Sequence, residues 1–311
     1  MTVNIKTNNN GKSLAEISNV SNPNLLINTD FSKVIHQRGA MPFITYNNSY
    51  GSCIDRWRTD SPMIISQESG YIRLKANYSD SFEGILLHQC VEMKKEKVPY
   101  KMTISLRVRA SKKCKYHLYT TNRFFDITTD WQTLNITFTT DEMSANGDDS
   151  LQDNYFKVWI GAKAYDFPTN KKALLAKGDY VDIQWIKLEV GDTATRYIQP
   201  SYYEELEKCK KYFMKYYGWV STFPFHGDNV NQYVEISPIT MRTNPTVSGN
   251  SLMYLCGTNN DGSVTCINNA NITEAKSNYA GTRVICKTNK NLNAGSGCVS
   301  SGYLELDAEI Y

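Results

Sequence analysis

From Asn24 to about Val190 the apolar positions recur at every second residue. In MTISLRV, Met102, Ile104, Leu106 and Val108 alternate with Thr103, Ser105 and Arg107. In TLNITFT, Leu134, Ile136 and Phe138 alternate with Thr133, Asn135 and Thr137. YIRLKA, YHLYT and NYFKVWIG keep the same rule, and NYSDSFEG and SANGDDS separate such runs with turn-forming residues. Alternation of this kind fits short strands with one buried face, so the spacing predicts an antiparallel β-sandwich. One segment changes phase. In YVDIQWIKLEV, Val181, Ile183 and Trp185 hold one face before Ile186, Leu188 and Val190 take over on the other. A one-residue flip predicts a β-bulge, or a strand that changes sheets.

After Pro200 the period changes to that of a helix. Ser201 with Glu204 three positions on forms a capping box, and Gly218 stands at the C-cap position. Between them Tyr202, Leu206, Cys209, Phe213 and Tyr216 form an apolar stripe at alternating spacings of four and three. So short a helix is not stable alone. It packs on its own domain, or copies of it meet around a symmetry axis with these five residues as the contacts. Beyond Gly218 short strands return in NQYVEI, TNPTVS, SLMYLCG, GSVTCI, TRVICK and GYLELDAEIY, with Asn, Asp, Gly and Ser turns between them. The fold class expected is all-β: a sandwich over 23–199, then a short helix and a small β-rich tip domain over 200–311. Residues 1–22 are polar and aperiodic, and read as a flexible or partner-dependent lead.

Composition narrows the function. The chain has 311 residues, enough for two hydrophobic cores. Its 34 basic and 31 acidic residues leave a net charge of +3, too balanced for a nucleic-acid binder. No run of about 18 apolar residues predicts a membrane span. MTVNIKTNNNGKSLAE lacks the apolar core of a secretory signal, which predicts synthesis in a cytosol. The eight cysteines show no zinc spacing. Cys53, Cys90 and Cys114 are expected as buried thiols, while Cys256, Cys266, Cys286 and Cys298 are close enough in sequence to pair if the protein works outside a cell.

NPNLLINTDFS, HQRG, IDRW and KLEVGDTATRYIQPSYYEELEKCKKYF, with MRTNPTV and the terminal YLELDAEIY, resemble the C-terminal parts of bacteriophage tail fibres and related prophage proteins. The resemblance spans most of residues 22–311. It implies a carbohydrate-binding-module-like jelly roll followed by a tip domain, in a fibre that is usually trimeric. It also implies a virion location and attachment to a host-cell surface, often to a glycan, with other tail proteins held through the N-terminal segment. Related jelly rolls often carry an acidic residue just after the NxxF element that helps bind calcium. This chain has Ser32 there, so no calcium is assigned to Asp30 or Asp182.

A glycan site needs flat rings for sugar faces and polar side chains for hydroxyls. Strand alternation places Tyr71, His117, Tyr119, Tyr155 and Trp159 on polar faces, with Trp159 offering the largest ring. In FPFHGDNVNQY, Phe225 and His226 near a Gly-Asp turn make a second candidate in a tip loop. The alternative for these rings is a structural cover over a loop or subunit. Trp57 and Trp185 are expected to be packing residues. No catalytic carboxylate pair, nucleophile motif, metal set or cofactor loop is visible. The reading is therefore a non-enzymatic, homotrimeric receptor-binding fibre. A purely structural virion assembly protein and a glycan-processing enzyme are the alternatives.

Overall fold

The computed structural model describes residues 21–45, 51–52, 54–59, 61–77, 84–118, 120–121, 123–145, 151–162, 164–165, 176–217, 222–228, 231–249, 253–259, 261–287, 292, 294–299 and 303–309. The chain divides into two compact units between Tyr202 and Tyr203.

The first unit holds twelve strands among the described residues: β1 (Phe43–Ile44), β2 (Arg58–Thr59), β3 (Met63–Glu68), β4 (Tyr71–Ala76), β5 (Ile85–Glu92), β6 (Lys101–Ala110), β7 (Cys114–Leu118), β8 (Arg123–Ile127), β9 (Gln132–Thr139), β10 (Tyr155–Ala162), β11 (Ala164–Tyr165) and β12 (Tyr180–Val190). A short helix, α1 (Thr140–Ala145), follows β9. Six strands form one antiparallel sheet in the order β1-β3-β4-β12-β6-β9. Facing it are β10-β5-β2 and β11-β7-β8. Met102, Ile104, Leu106 and Val108 of β6 meet Phe156, Val158 and Ile160 of β10 in one core, as their alternation predicts. The result is the expected jelly-roll β-sandwich.

The phase flip in β12 is a bulge. Its register on β6 shifts between Ile183 and Trp185, so Ile183 lies opposite Val108 and Ile186 opposite Leu106. The extra residue keeps Val181, Ile183, Ile186 and Leu188 all on the core side. Trp185, paired with Arg107, is thereby placed on the outer face with Asp182 and Lys187. It leaves the face that the sequence pattern shared among Val181, Ile183 and Trp185, because the bulge turns the strand before Trp185 and not after it. Trp57 is core, at 1% exposure, with its indole N–H donating to the Asn28 carbonyl at 2.9 Å.

The quoted NPNLLINTDFS segment is largely scaffold. Asn24 accepts the N–H groups of Leu26 and Leu188 through Oδ1. Buried Asn28, at φ 59°, donates to the carbonyls of Ile35 and Asp55. Asparagine tolerates this left-handed backbone better than most side-chain-bearing residues.

In the second unit the helix α2 (Tyr202–Lys210) is followed by β13 (Phe213–Tyr217), β14 (Thr222–Asp228), β15 (Asn231–Ser237), β16 (Thr246–Gly249), β17 (Met253–Thr258), β18 (Val264–Asn278), β19 (Gly281–Lys287), β20 (Ala294–Val299) and β21 (Tyr303–Asp307). Six of these close into a barrel, β14-β15-β19-β18-β17-β20, and β13-β21-β16 form a separate sheet. The expected helical stripe stops at Lys210. The Lys211 carbonyl accepts from the Arg242 N–H, and Phe213 and Tyr216 enter β13 opposite Asp307 and Leu304. Backbone pairing to β21 overrides the heptad spacing. Cys209 and Phe213 are buried within the single chain, so they do not form an intermolecular seam. Tyr202 is exposed, Leu206 is half-buried, and Tyr216 is half-buried with its hydroxyl pushed up to about 12 by burial.

Cys90 and Cys114 are buried thiols outside any disulfide, as expected, while Cys53 lies outside the described residues. Burial pushes the Cys114 thiol up to about 11 and that of Cys286 up to about 12, which makes thiolate chemistry unfavourable at both. Cys256 and Cys266 are register partners on β17 and β18 and are joined as a disulfide. Among the described residues no helix is long and apolar enough to cross a membrane.

Candidate functional site on the outer face of the six-stranded sheet

At the end of β12 the chain turns at Gly191, whose φ of +107° suits glycine, and its carbonyl accepts from Thr103 Oγ1 at 2.8 Å. The following segment runs back over the sheet and is fastened by buried charges. Lys187 and Glu189 point outward from β12, yet their side chains are only 2% and 0% exposed. Lys187 Nζ donates to Glu189 Oε2 at 3.0 Å, to Ser21 Oγ at 2.8 Å and to Thr195 Oγ1. Glu189 accepts from the Thr195 backbone N–H at 2.8 Å and from its hydroxyl. Every strong donor and acceptor has a partner, which is the condition for burying an ion pair without a large penalty. The KLEVGDTAT stretch is thus a clasp. Four residues on, Gln199 Nε2 donates to Asp30 Oδ2.

Between these two attachments Tyr197 lies flat on Trp185, with ring centroids 4.6 Å apart and planes 4° from parallel. The pair borders an open groove of about 630 Å³ lined by Asp30, Ser32, Gln184, Arg196, Ile198 and Gln199. Trp185 is half-buried, and its indole N–H makes no hydrogen bond among the described residues. Asp30 is already engaged. It accepts the Ser32 hydroxyl at 2.6 Å and the Ser32 N–H at 3.0 Å, in addition to Gln199. Ser32, at the position tied to calcium in related jelly rolls, thus satisfies Asp30 Oδ1, and Gln199 satisfies Oδ2. Among the described residues no cluster of three or more His, Cys, Asp or Glu is placed to hold a metal.

The same face carries a second polar cluster. Asp182, with a fully buried carboxylate, is the register partner of Arg73 on β4 and of Arg109 on β6. Arg73 donates to it through Nε at 2.7 Å and Nη2 at 2.9 Å, and Arg109 through Nε at 2.9 Å. The hydrogen bond to Asp182 raises the pKa of Arg73 further. Tyr71 contributes its hydroxyl to both arginines and its ring to an edge contact with Trp131.

The ring residues singled out from the sequence fare unequally. Tyr71 sits on the outer face as alternation predicts. Trp159 does not act as an open platform: it is 8% exposed, lies 4.4 Å from the His88 ring, and its backbone N–H donates to Thr120 Oγ1. Alternation places it on the outer side of β10, where the ring of His88, its register partner on β5, packs against it. Tyr155 is half-buried at the start of the same strand, opposite Glu92. His117 lies in β7 opposite Phe124, its side chain outside the description, and Tyr119 lies outside the described residues. Phe225 and His226 are not in a loop. They belong to β14 of the barrel, opposite Val234 and Tyr233, and their side chains are likewise outside the description. Trp185 and Tyr197 were missed as a pair because no periodicity connects a strand residue to one twelve positions later in an irregular segment.

No protein-family model matches the chain, and no curated protein does. Among solved structures it is similar to the unliganded CBM1 of BiXyn10A, at 13% identity over 48% of this chain and 96% of that one, with a TM-score of 0.29. It is also similar to the CBM22-1 xylan-binding domain of Paenibacillus barcinonensis Xyn10C, at 10% identity over 55% of this chain and 97% of that one, with a TM-score of 0.28. The N-terminal CBM22-1-CBM22-2 tandem of the same protein matches at 9% identity over 94% of this chain and 91% of that one, with a TM-score of 0.29. Likeness this distant carries no argument about ligand or site.

Proposed function

We propose that this protein is a non-enzymatic carbohydrate-binding protein that uses the Trp185–Tyr197 groove as its sugar platform. The observation that carries the reading is the half-exposed aromatic stack set among a carboxylate, amides and an indole N–H that makes no hydrogen bond among the described residues. Rings take up the apolar face of a pyranose, and the polar groups pair with its hydroxyls. Hydrolysis is not part of the proposal, because two opposed carboxylates are needed and, among the described residues, the groove lining presents one, Asp30, already held by Ser32 and Gln199.

The resemblance to tail fibres supplies the setting: a virion-borne, homotrimeric receptor-binding protein that attaches the particle to a host-cell glycan. Its trimer interface excludes Cys209 and Phe213, which the single chain already buries. A glycan array probed with the full chain tests the binding, and pre-incubation of host cells with the protein tests attachment. Binding to a defined glycan without product formation, and blocked particle adsorption, are expected. An array with no bound glycan would sink the reading.

A further inference from the structure

The arginine pair on Asp182 holds more positive charge than its carboxylate balances. Arg73 and Arg109 are 25% and 28% exposed and share one buried anion, which leaves a net charge of about one. Both direct Nε toward Asp182 and Nη2 toward the Tyr71 hydroxyl or Asp182, and neither Nη1 has a partner among the described residues. The guanidinium groups are also fixed in plane by rings. Arg73 lies 3.8 Å from the Tyr180 centroid, and Arg109 lies 4.8 Å from Trp131 and 5.2 Å from Tyr71. Two oriented, partly desolvated forks with unused edges match an oxyanion better than lysines on flexible stems would. Around them the outer face adds Arg107, Lys75 and Glu68.

The position is as informative as the charge. Arg109 is the register partner of Asp182, and Arg107, two residues along β6, is the partner of Trp185. Two residues along a strand is roughly 7 Å, so the arginine pair and the aromatic groove are neighbouring stations on one surface. Resting on the reading of that groove as a sugar platform, we infer that Arg73 and Arg109 form an adjoining subsite for the carboxylate of an acidic sugar unit, in a glycan whose neighbouring unit stacks at Trp185. Tyr71 and Trp131 would frame that unit, and the structural duty of Asp182 is to hold both forks in register.

The test measures binding of the full chain to an oligouronate, to its carboxyl-reduced counterpart, and to a sulfated neutral oligosaccharide of similar length. The oligouronate is expected to bind at least about tenfold tighter than the reduced form, the scale of a charge-assisted hydrogen bond. That preference should shrink as salt is raised. Arg109→Lys keeps the charge but loses the fork, and should abolish the preference while melting like the parent. Arg73→Lys serves as the second variant if Arg109→Lys unfolds. Equal binding of the reduced form, or a preference retained in a well-folded lysine variant, overturns the inference. Tight binding of the sulfated compound alone overturns the carboxylate assignment. Binding of both uronate and reduced forms that depends on Trp185 but shows no preference leaves the groove reading standing and removes this one. Uronate binding that needs Arg109 but survives Trp185→Ala does the reverse. No binding to any of the three removes both.

Discussion

Tyr197 stacks on Trp185 within 4° of parallel, although the two residues belong to a strand and to an irregular segment beyond it. The contact exists because Gly191 reverses the chain and the Lys187–Glu189–Thr195 clasp fixes the return path. Trp185→Ala is therefore expected to remove sugar binding and leave most of the core intact. Loss of one stacked ring is worth about 1–3 kcal/mol on the scale of base–aromatic stacking, or roughly five- to more than a hundredfold in affinity. Trp159→Ala should behave oppositely, costing about 3–5 kcal/mol of stability as a buried truncation. Calorimetric titration and thermal melts on the two variants check the contrast, and equal behaviour of the two would refute it.

The clasp makes its own prediction. Lys187→Met strands a buried carboxylate, and Glu189→Leu strands a buried ammonium. Each is expected to cost about 3–5 kcal/mol, because removal of one partner leaves an uncompensated charge. The double variant should recover much of that stability, since two apolar side chains of similar volume need no pairing. It should still bind sugar more weakly, because Thr195 is released and Tyr197 loses its anchor. A double variant with parental affinity would show that the clasp has no part in positioning Tyr197.

Much of this was legible in the chain. The strands around Met102–Val108 and Leu134–Phe138 follow from alternation alone, and the phase change in YVDIQWIKLEV marked a real bulge. What alternation does not encode is cover. It reports which side of a strand Trp159 occupies but not that the ring is buried there against His88. Nor does it say on which side of the bulge Trp185 falls, since one residue's difference reverses the face. The 202–216 stripe misled for a related reason: spacings of four and three continue across Lys210 by composition, while the backbone of Lys211 to Tyr217 finds partners in Arg242 and β21. KLEVGDTAT opens the longest of the segments that carry the tail-fibre resemblance, and its residues hold the chain that carries Tyr197.

Oligomeric state separates the fibre proposal from a plain monomeric binding module. A homotrimer is expected by multi-angle light scattering of the full chain at micromolar concentration. Cys209→Ser should leave that mass unchanged, because the side chain is buried within one chain. A monomer mass for the parent would remove the trimer from the proposal without touching sugar binding.

Two buried titratable groups oppose each other in the response to pH. Burial raises the Asp55 carboxyl to about 6, against which the hydrogen bond from Gln37 works only in part. Burial lowers His88 to about 3, helped by Lys157 and Arg58. For Asp55 the folded state holds its proton more tightly than the unfolded chain does. Its contribution to stability is full below pH 3.8 and is lost as pH rises through about 6. For His88 the unfolded chain binds the proton more tightly, so stability falls as pH drops from about 6.5 toward 3. Between pH 4 and 6 the two slopes run against each other, and the parent melting curve should be nearly flat with respect to these groups. Single variants expose them. Asp55→Asn should gain on the parent as pH rises from about 4 to 7, by roughly 2–4 kcal/mol at most for a shift of this size. His88→Gln, whatever its absolute stability, should gain on the parent as pH falls across the same range. Melting temperatures of the three proteins at matched ionic strength decide the matter. Curves that stay parallel from pH 4 to 7 would mean that neither group titrates differently in the folded and unfolded chain.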